Sequence, residues 1–156
     1  MTPKGSSVFN SRSYTKFSLS LSKDGNTLAV GQTSVDSVNV FRYNEDTSEW
    51  NELGQVLEAN EPQTGLGFTV SLSDDGSILA VGAELHRLSY VGSAQVFRLI
   101  EGKWTQVGDT IFGNDSFDYF SRVSLSGDGQ FLAVGAPKYG INPEVFAKVF
   151  RLEEGQ

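Results

Sequence analysis

The chain has 156 residues, 38% of them hydrophobic, enough for one domain with a buried core. Twelve Lys and Arg against nineteen Asp and Glu give a net charge of -7, which disfavours general attraction to nucleic-acid phosphates. The absence of Cys excludes disulfides and thiolate chemistry, and the single histidine, His86, excludes multi-histidine zinc or copper centres.

In chain order, Met1 to Gly5 leads into no apolar segment, and no run approaches the roughly 20 apolar residues of a membrane span, so no membrane insertion is expected. Residues 17–22 alternate Phe17, Leu19 and Leu21 with Ser18, Ser20 and Ser22, the period of a strand. An Asp24-Gly25 turn follows, then strands over 27–32, 37–43 and 50–58. The same order returns with strands over 68–73, 78–83, 94–99 and 104–111, and again over 121–126, 131–136 and 146–152. No window shows helical spacing of apolar residues.

The three passes are copies of one unit. FSLSLSKDGNTLAVG (17–31), FTVSLSDDGSILAVG (68–82) and SRVSLSGDGQFLAVG (121–135) align without gaps, and each is followed by Val-Phe-Arg, at 40–42, 96–98 and 149–151. Two copies continue to a Trp with a Gly four residues on, Trp50 to Gly54 and Trp104 to Gly108. Four antiparallel strands repeating about every 50 residues are the mark of a β-propeller blade. In strand two of each unit, bulky Leu28/Val30, Leu79/Val81 and Leu132/Val134 alternate with Ala and Gly. A bulky face packed on the next blade's small face fills space to native density.

The expected fold is therefore all-β: three four-stranded antiparallel propeller blades at about 14–60, 61–113 and 114–156, in one segment spanning 1–156. The last copy lacks its outer Trp strand. A propeller needs about four blades to close. The chain thus reads as part of a longer propeller, as half of a six-bladed ring made by two chains, or as an open arc of stacked blades. Further blades of a parent chain, or a homodimer partner, are the expected assembly partners.

These motifs resemble the FG-GAP blades of integrin-α-like propellers, with blades of the WD-repeat type as second choice. The Phe-Gly-x-Ser-Val element survives loosely as Leu66-Gly67-Phe68-Thr69-Val70 and Tyr119-Phe120-Ser121-Arg122-Val123. The Gly-Ala-Pro element is complete once, as Gly135-Ala136-Pro137. Many members of that family hold calcium in the first hairpin. The loops around Asp24, Asp75 and Asp128 are too short and too poor in carboxylates for that, and read as braced turns. The resemblance favours an extracellular or cell-surface setting, while the residues themselves leave the compartment unknown.

The strands are nearly constant between copies, whereas the connections from strand two to three and from blade to blade vary. In a propeller both lie on one face, and function concentrates on variable loops. Candidate ligand-binding residues there are Glu84, His86, Arg87, Tyr90, Asn114, Asp115, Asp118, Lys138, Tyr139 and Asn142. No catalytic residue, metal ligand or cofactor is assigned: His86 stands in no triad context, and no phosphate-cradling loop is present. Asn114-Asp115-Ser116 is a glycosylation sequon if the chain is secreted. The expected function is a non-catalytic binding or adhesion module recognising a protein or glycan. The alternative is a fragment of a propeller enzyme of sugar oxidase, lyase or hydrolase type.

Overall fold

The computed structural model describes residues 2–8, 16–84, 90–137 and 145–153, and among these all regular structure is β. The first sheet runs β1 (Phe17–Leu21), β2 (Thr27–Gln32), β3 (Ser37–Asn44) and β4 (Glu49–Glu52), with β5 (Leu57–Glu58) also paired to β3. The second holds β6 (Leu66–Leu72), β7 (Ile78–Ala83) and β8 (Ser93–Ile100), with β9 (Lys103–Gln106) and β10 (Ile111–Phe112) both on β8. The third has β11 (Arg122–Leu125), β12 (Phe131–Pro137) and β13 (Val145–Arg151). Every pairing is antiparallel, and the registers repeat: Leu19 faces Val30, Val70 faces Val81 and Val123 faces Val134.

The expected continuous strands at 50–58 and 104–111 are each two strands. Gly54 and Gly108 adopt left-handed φ of +77° and +68° and break the run, because a positive φ turns the chain out of the regular pleat. The β4 and β9 halves pair with the later part of β3 and β8, and β5 and β10 pair with the earlier part. Apolar residues on both sides of the glycine hide that break from a periodicity reading. The inner strand of the second sheet also starts at Leu66, two residues before the expected 68, through a register shift between Leu66 and Thr69.

The Asp-Gly turns are braced as their residue types imply. The Asp24 carboxylate accepts the Ser22 hydroxyl at 2.6 Å and the Asn26 N–H at 2.9 Å, while Ser22 Oγ accepts the Thr27 N–H at 2.9 Å. Ser73, Asp75 and Ile78 repeat the set, and so do Ser126, Asp128 and Phe131. In all three turns the serine hydroxyl first, and the backbone N–H next, hold the aspartate below the usual carboxylate range.

Between the first two sheets, Ala29, Val38 and Val40 pack with Val70, Leu72, Leu79 and Val81. Between the second and third, Ala80, Ala94 and Val96 pack with Leu132 and Val134. Small side chains let the inner strands come close. A Cβ on Gly82 would strike the Ser121 carbonyl of the next sheet, and one on Gly31 would strike that of Gly67. At this distance the serines of the inner strands become hydrogen-bonding groups. Ser20 Oγ accepts the Leu72 N–H at 2.9 Å, and one repeat later Ser71 Oγ accepts the Leu125 N–H at 2.9 Å. Ser18 donates to the Gly67 carbonyl at 2.7 Å, and Thr69 donates to that of Ser121. The turns join in as well, Lys23 N–H to the Asp74 carbonyl at 3.0 Å and Asp74 N–H to the Gly127 carbonyl at 2.8 Å.

Leu79→Ala or Leu132→Ala should cost about 2–5 kcal/mol, as both are fully buried. Ser71→Ala should cost roughly 1–3 kcal/mol by stranding the Leu125 N–H, while Ser124→Ala, at the equivalent but exposed position, should be neutral. Urea denaturation of the four variants measures this, and equal losses at Ser71 and Ser124 would remove the ladder's role.

The turns also set an acid limit. Because the folded state depresses these aspartate pKa values, their contribution is full above the unfolded value near about 4 and is lost as pH falls through the lower folded values. Urea midpoints followed from pH 6 to pH 2 should fall below that range, and Asp75→Asn should flatten the fall.

Candidate functional site

The connection from the first sheet to the second is held by one carboxylate. Asp36, in the turn after β2 with φ of +51°, accepts the N–H groups of Gln63 and Gly65 at 2.6 Å each and the Thr64 hydroxyl at 3.3 Å. Its carbonyl takes the Ala59 N–H at 3.1 Å. This fixes the link 59–65 over the seam between the two sheets.

Beneath the link lies a cleft of about 340 Å³, with Leu57, Leu66 and Phe97 among its apolar lining. Its polar lining is Glu58, Asn60, Glu61, Thr64, Ser93, Gln95, Gln106 and Thr110, with no Lys or Arg among the described residues. Gln95 Nε2 donates to Gln106 Oε1 and to Thr110 Oγ1, both at 3.2 Å, and Gln106 Nε2 donates to the Gly108 carbonyl at 3.2 Å. A wall of fixed amides and a hydroxyl, two carboxylates and an apolar floor suits a small hydroxyl-rich molecule. Among the described residues it lacks the cations that would clamp a phosphate.

The residues singled out from the sequence fare unevenly. Tyr90 stacks on Phe117 with ring centroids 5.5 Å apart and leans on Tyr119 at 5.4 Å. Backbone bonds from Tyr119 N–H to the Tyr90 carbonyl and from Phe120 N–H to that of Val91, both 3.0 Å, zip 90–91 to the next link. That places Tyr90 beside the segment carrying Asn114, Asp115 and Asp118. Asp118 is 1% exposed, and its Oδ2 accepts the N–H groups of Asn114 and Asp115 at 2.9 Å each. Singled out from the sequence as a ligand-binding candidate, it braces its own loop through those N–H groups. Glu84 is half-buried just past β7. His86, Arg87, Lys138, Tyr139 and Asn142 lie outside the described residues.

Sequence reasoning missed Asp36 and the Gln95–Gln106–Thr110 network. A signal existed: the residue before the repeated Val-Phe-Arg is polar in each copy, as Asn39, Gln95 and Lys148. Such a residue breaks the burial pattern of its strand.

No family model matches the chain, and no curated protein matches it. Solved structures do. A protein from Bacteroides uniformis, provisionally assigned as a 6-phosphogluconolactonase, is 19% identical over 90% of this chain and 38% of its own, with a TM-score of 0.64. Its counterpart from Bacteroides fragilis, with the same provisional assignment, is 18% identical over 87% of this chain and 39% of its own, at 0.56. Hydrazine synthase from Kuenenia stuttgartiensis is 15% identical over 88% of this chain and 39% of its own, at 0.54. The chain thus spans well under half the length of each. At these identities the likeness establishes the fold, an all-β, propeller-type arrangement of antiparallel sheets.

The expected adhesion module is corrected by these neighbours. The likeness falls on propellers assigned as enzymes, and the alternative reading, a piece of a propeller enzyme, accords with them better. The error has a physical source: blade repeats specify how sheets stack and carry no information about the chemistry at their loops.

Proposed function

We propose that the chain is a three-blade segment of a propeller enzyme of hydrolase type, acting on a sugar-derived substrate. The observation that carries this is the cleft under the link 59–65. It sets Glu58 and Glu61 beside the amides of Gln95 and Gln106 over an apolar floor. The fold shared with the two provisionally assigned lactonases supports the same reading by analogy. In this reading the amides and Thr110 orient substrate hydroxyls, and the Glu58 carboxylate takes a proton from the attacking water. The lack of Lys and Arg among the described residues of the cleft favours an uncharged sugar acid lactone over a phosphorylated one at this position.

Titration of the labelled protein with D-glucono-1,5-lactone and with gluconate, followed by NMR, tests this. The side-chain amide signals of Gln95 and Gln106 should move, and Gln95→Ala should weaken binding at least tenfold. Signals that stay in place, or the same binding in Gln95→Ala, would overturn the reading.

The two ends of the array support the segment reading. The first sheet presents Phe17, Leu19 and Leu21, 47%, 65% and 56% exposed, and the third presents Val149, 70% exposed. These are the bulky and small faces that pack together at both internal seams, so further blades, in the parent chain or a second copy, would stack on them. Sedimentation over a tenfold dilution should show self-association of the isolated chain. A compact 17.0 kDa monomer at every concentration would count against it.

A further inference from the structure

Two tryptophans of the chain are held by one recurring device. Trp104, on β9, is buried against the first sheet, with its indole N–H donating to the Leu53 carbonyl at 2.8 Å. The next residue, Gly54, has φ of +77°, and a Cβ there would lie 2.8 Å from Trp104 Cδ1. Gln55 then grips the tryptophan backbone on both sides: its side-chain oxygen accepts the Trp104 N–H at 3.0 Å, and its amide donates to the Trp104 carbonyl at 2.7 Å. Trp50, on β4, has the same kind of seat. Its indole N–H donates to the Lys4 carbonyl at 3.0 Å, and the following Gly5, with φ of +79°, has its Cβ position 3.3 Å from Trp50 Cδ1. A carbonyl followed by a left-handed glycine is therefore a tryptophan seat, used twice.

A third seat stands at the seam between the second and third sheets. Val107 and Gly108 occupy the positions of Leu53 and Gly54: Val107 N–H bonds the Val96 carbonyl at 2.9 Å, as Leu53 N–H bonds that of Val40 at 2.8 Å. Gly108 has φ of +68°, but no described atom lies within 4 Å of its Cβ position. In place of an indole there is a cavity of about 440 Å³. Its lining includes Val96, Ile111, Phe150 and Leu152, the repeat equivalents of Val40, Leu57, Phe97 and Leu99 in the Trp104 cluster. Beside it, β13 pairs with β12 alone among the described strands, whereas β8, its equivalent, also carries β9.

We propose that this cavity is the binding site for a tryptophan-bearing β-strand that adds to the open edge of β13, as β9 adds to β8. The occupant is a strand of the repeat's own pattern, with Trp flanked by polar residues. Its indole N–H meets the Val107 carbonyl, and its tryptophan backbone N–H meets Asp109. Strand addition supplies main-chain hydrogen bonds, and the cavity supplies selectivity for the indole. Asp109 stands where Gln55 stands one repeat earlier. A carboxylate accepts one of the two backbone bonds that the Gln55 amide makes and cannot donate the other. This inference rests on comparison of the copies within the chain and is independent of the catalytic reading.

The test uses a fluorescein-labelled peptide copying residues 102–107, Gly-Lys-Trp-Thr-Gln-Val, added to the intact chain and followed by anisotropy. Saturable binding is expected, weakened at least tenfold by Trp→Ala in the peptide and strengthened by Asp109→Gln in the protein. Gly108→Ala should abolish binding. Gly102→Ala, at another left-handed glycine with open space around it, should not, which separates loss of the seat from backbone strain. As a second measurement, the same six residues appended after Gln156 should raise the thermal midpoint by several degrees over the Trp→Ala extension, and Gly108→Ala should erase the gain. Binding indifferent to the indole or to Gly108, or no binding together with no thermal gain, overturns the proposal.

Discussion

Everything in this molecule depends on how closely one sheet can approach the next. The constraint is local: Gly31 and Gly82 leave no room for a side chain between an inner strand and the backbone of its neighbour. Once the strands are that near, Ser20 and Ser71 reach the next sheet's peptide N–H groups, and those bonds compensate backbone groups that would otherwise be buried unpaired. Dispersion and desolvation follow from the same spacing, since Leu79 and Leu132 then fill the troughs beside Ala29 and Ala80. A larger residue at either glycine would push the sheets apart and release the hydrogen bonds and the apolar contact together.

The same logic explains why the repeat keeps small hydroxyl residues where a solvent-facing strand would carry charge. A lysine or glutamate at Ser71 would have to bury its head group between sheets without a partner. Serine is short enough to stay in the seam and polar enough to serve the neighbouring backbone. The Asp-Gly turns use an economy of the same kind. Each aspartate ties its own hairpin, and in the first two turns the backbone beside it bonds to the next turn, so hairpin shape and sheet stacking are coupled.

Away from the packed strands the copies diverge. Asp36 and Asp118 both use their carboxylates on backbone N–H groups of inter-sheet links, and the link that Asp36 holds roofs a polar cleft. The left-handed glycines form a second layer of construction, in which Trp104 is anchored to a carbonyl of the preceding repeat and Trp50 to one of the segment before the first repeat. This links neighbouring units at their outer edge as the serines do at the inner one.

The all-β character, the period of about 50 residues, the strand positions and the Asp-Gly turns could all be read from the chain itself. They depend on local periodicity and on residues such as Gly and Asp, whose conformational preferences act over a few positions. The bulky and small faces were legible for the same reason. Tertiary structure alone decided the rest. The split of the outer strands at Gly54 and Gly108 lies in a left-handed φ that apolar residues on either side conceal from a periodicity reading. Turning Asp118 inward depends on N–H groups that only the folded loop aligns. The cleft joins Glu58 to Gln95 and Gln106 across a seam between two sheets, residues far apart along the chain and dissimilar in type. Long-range juxtaposition of dissimilar residues leaves no period to detect, which is why the architecture was readable and the site was not.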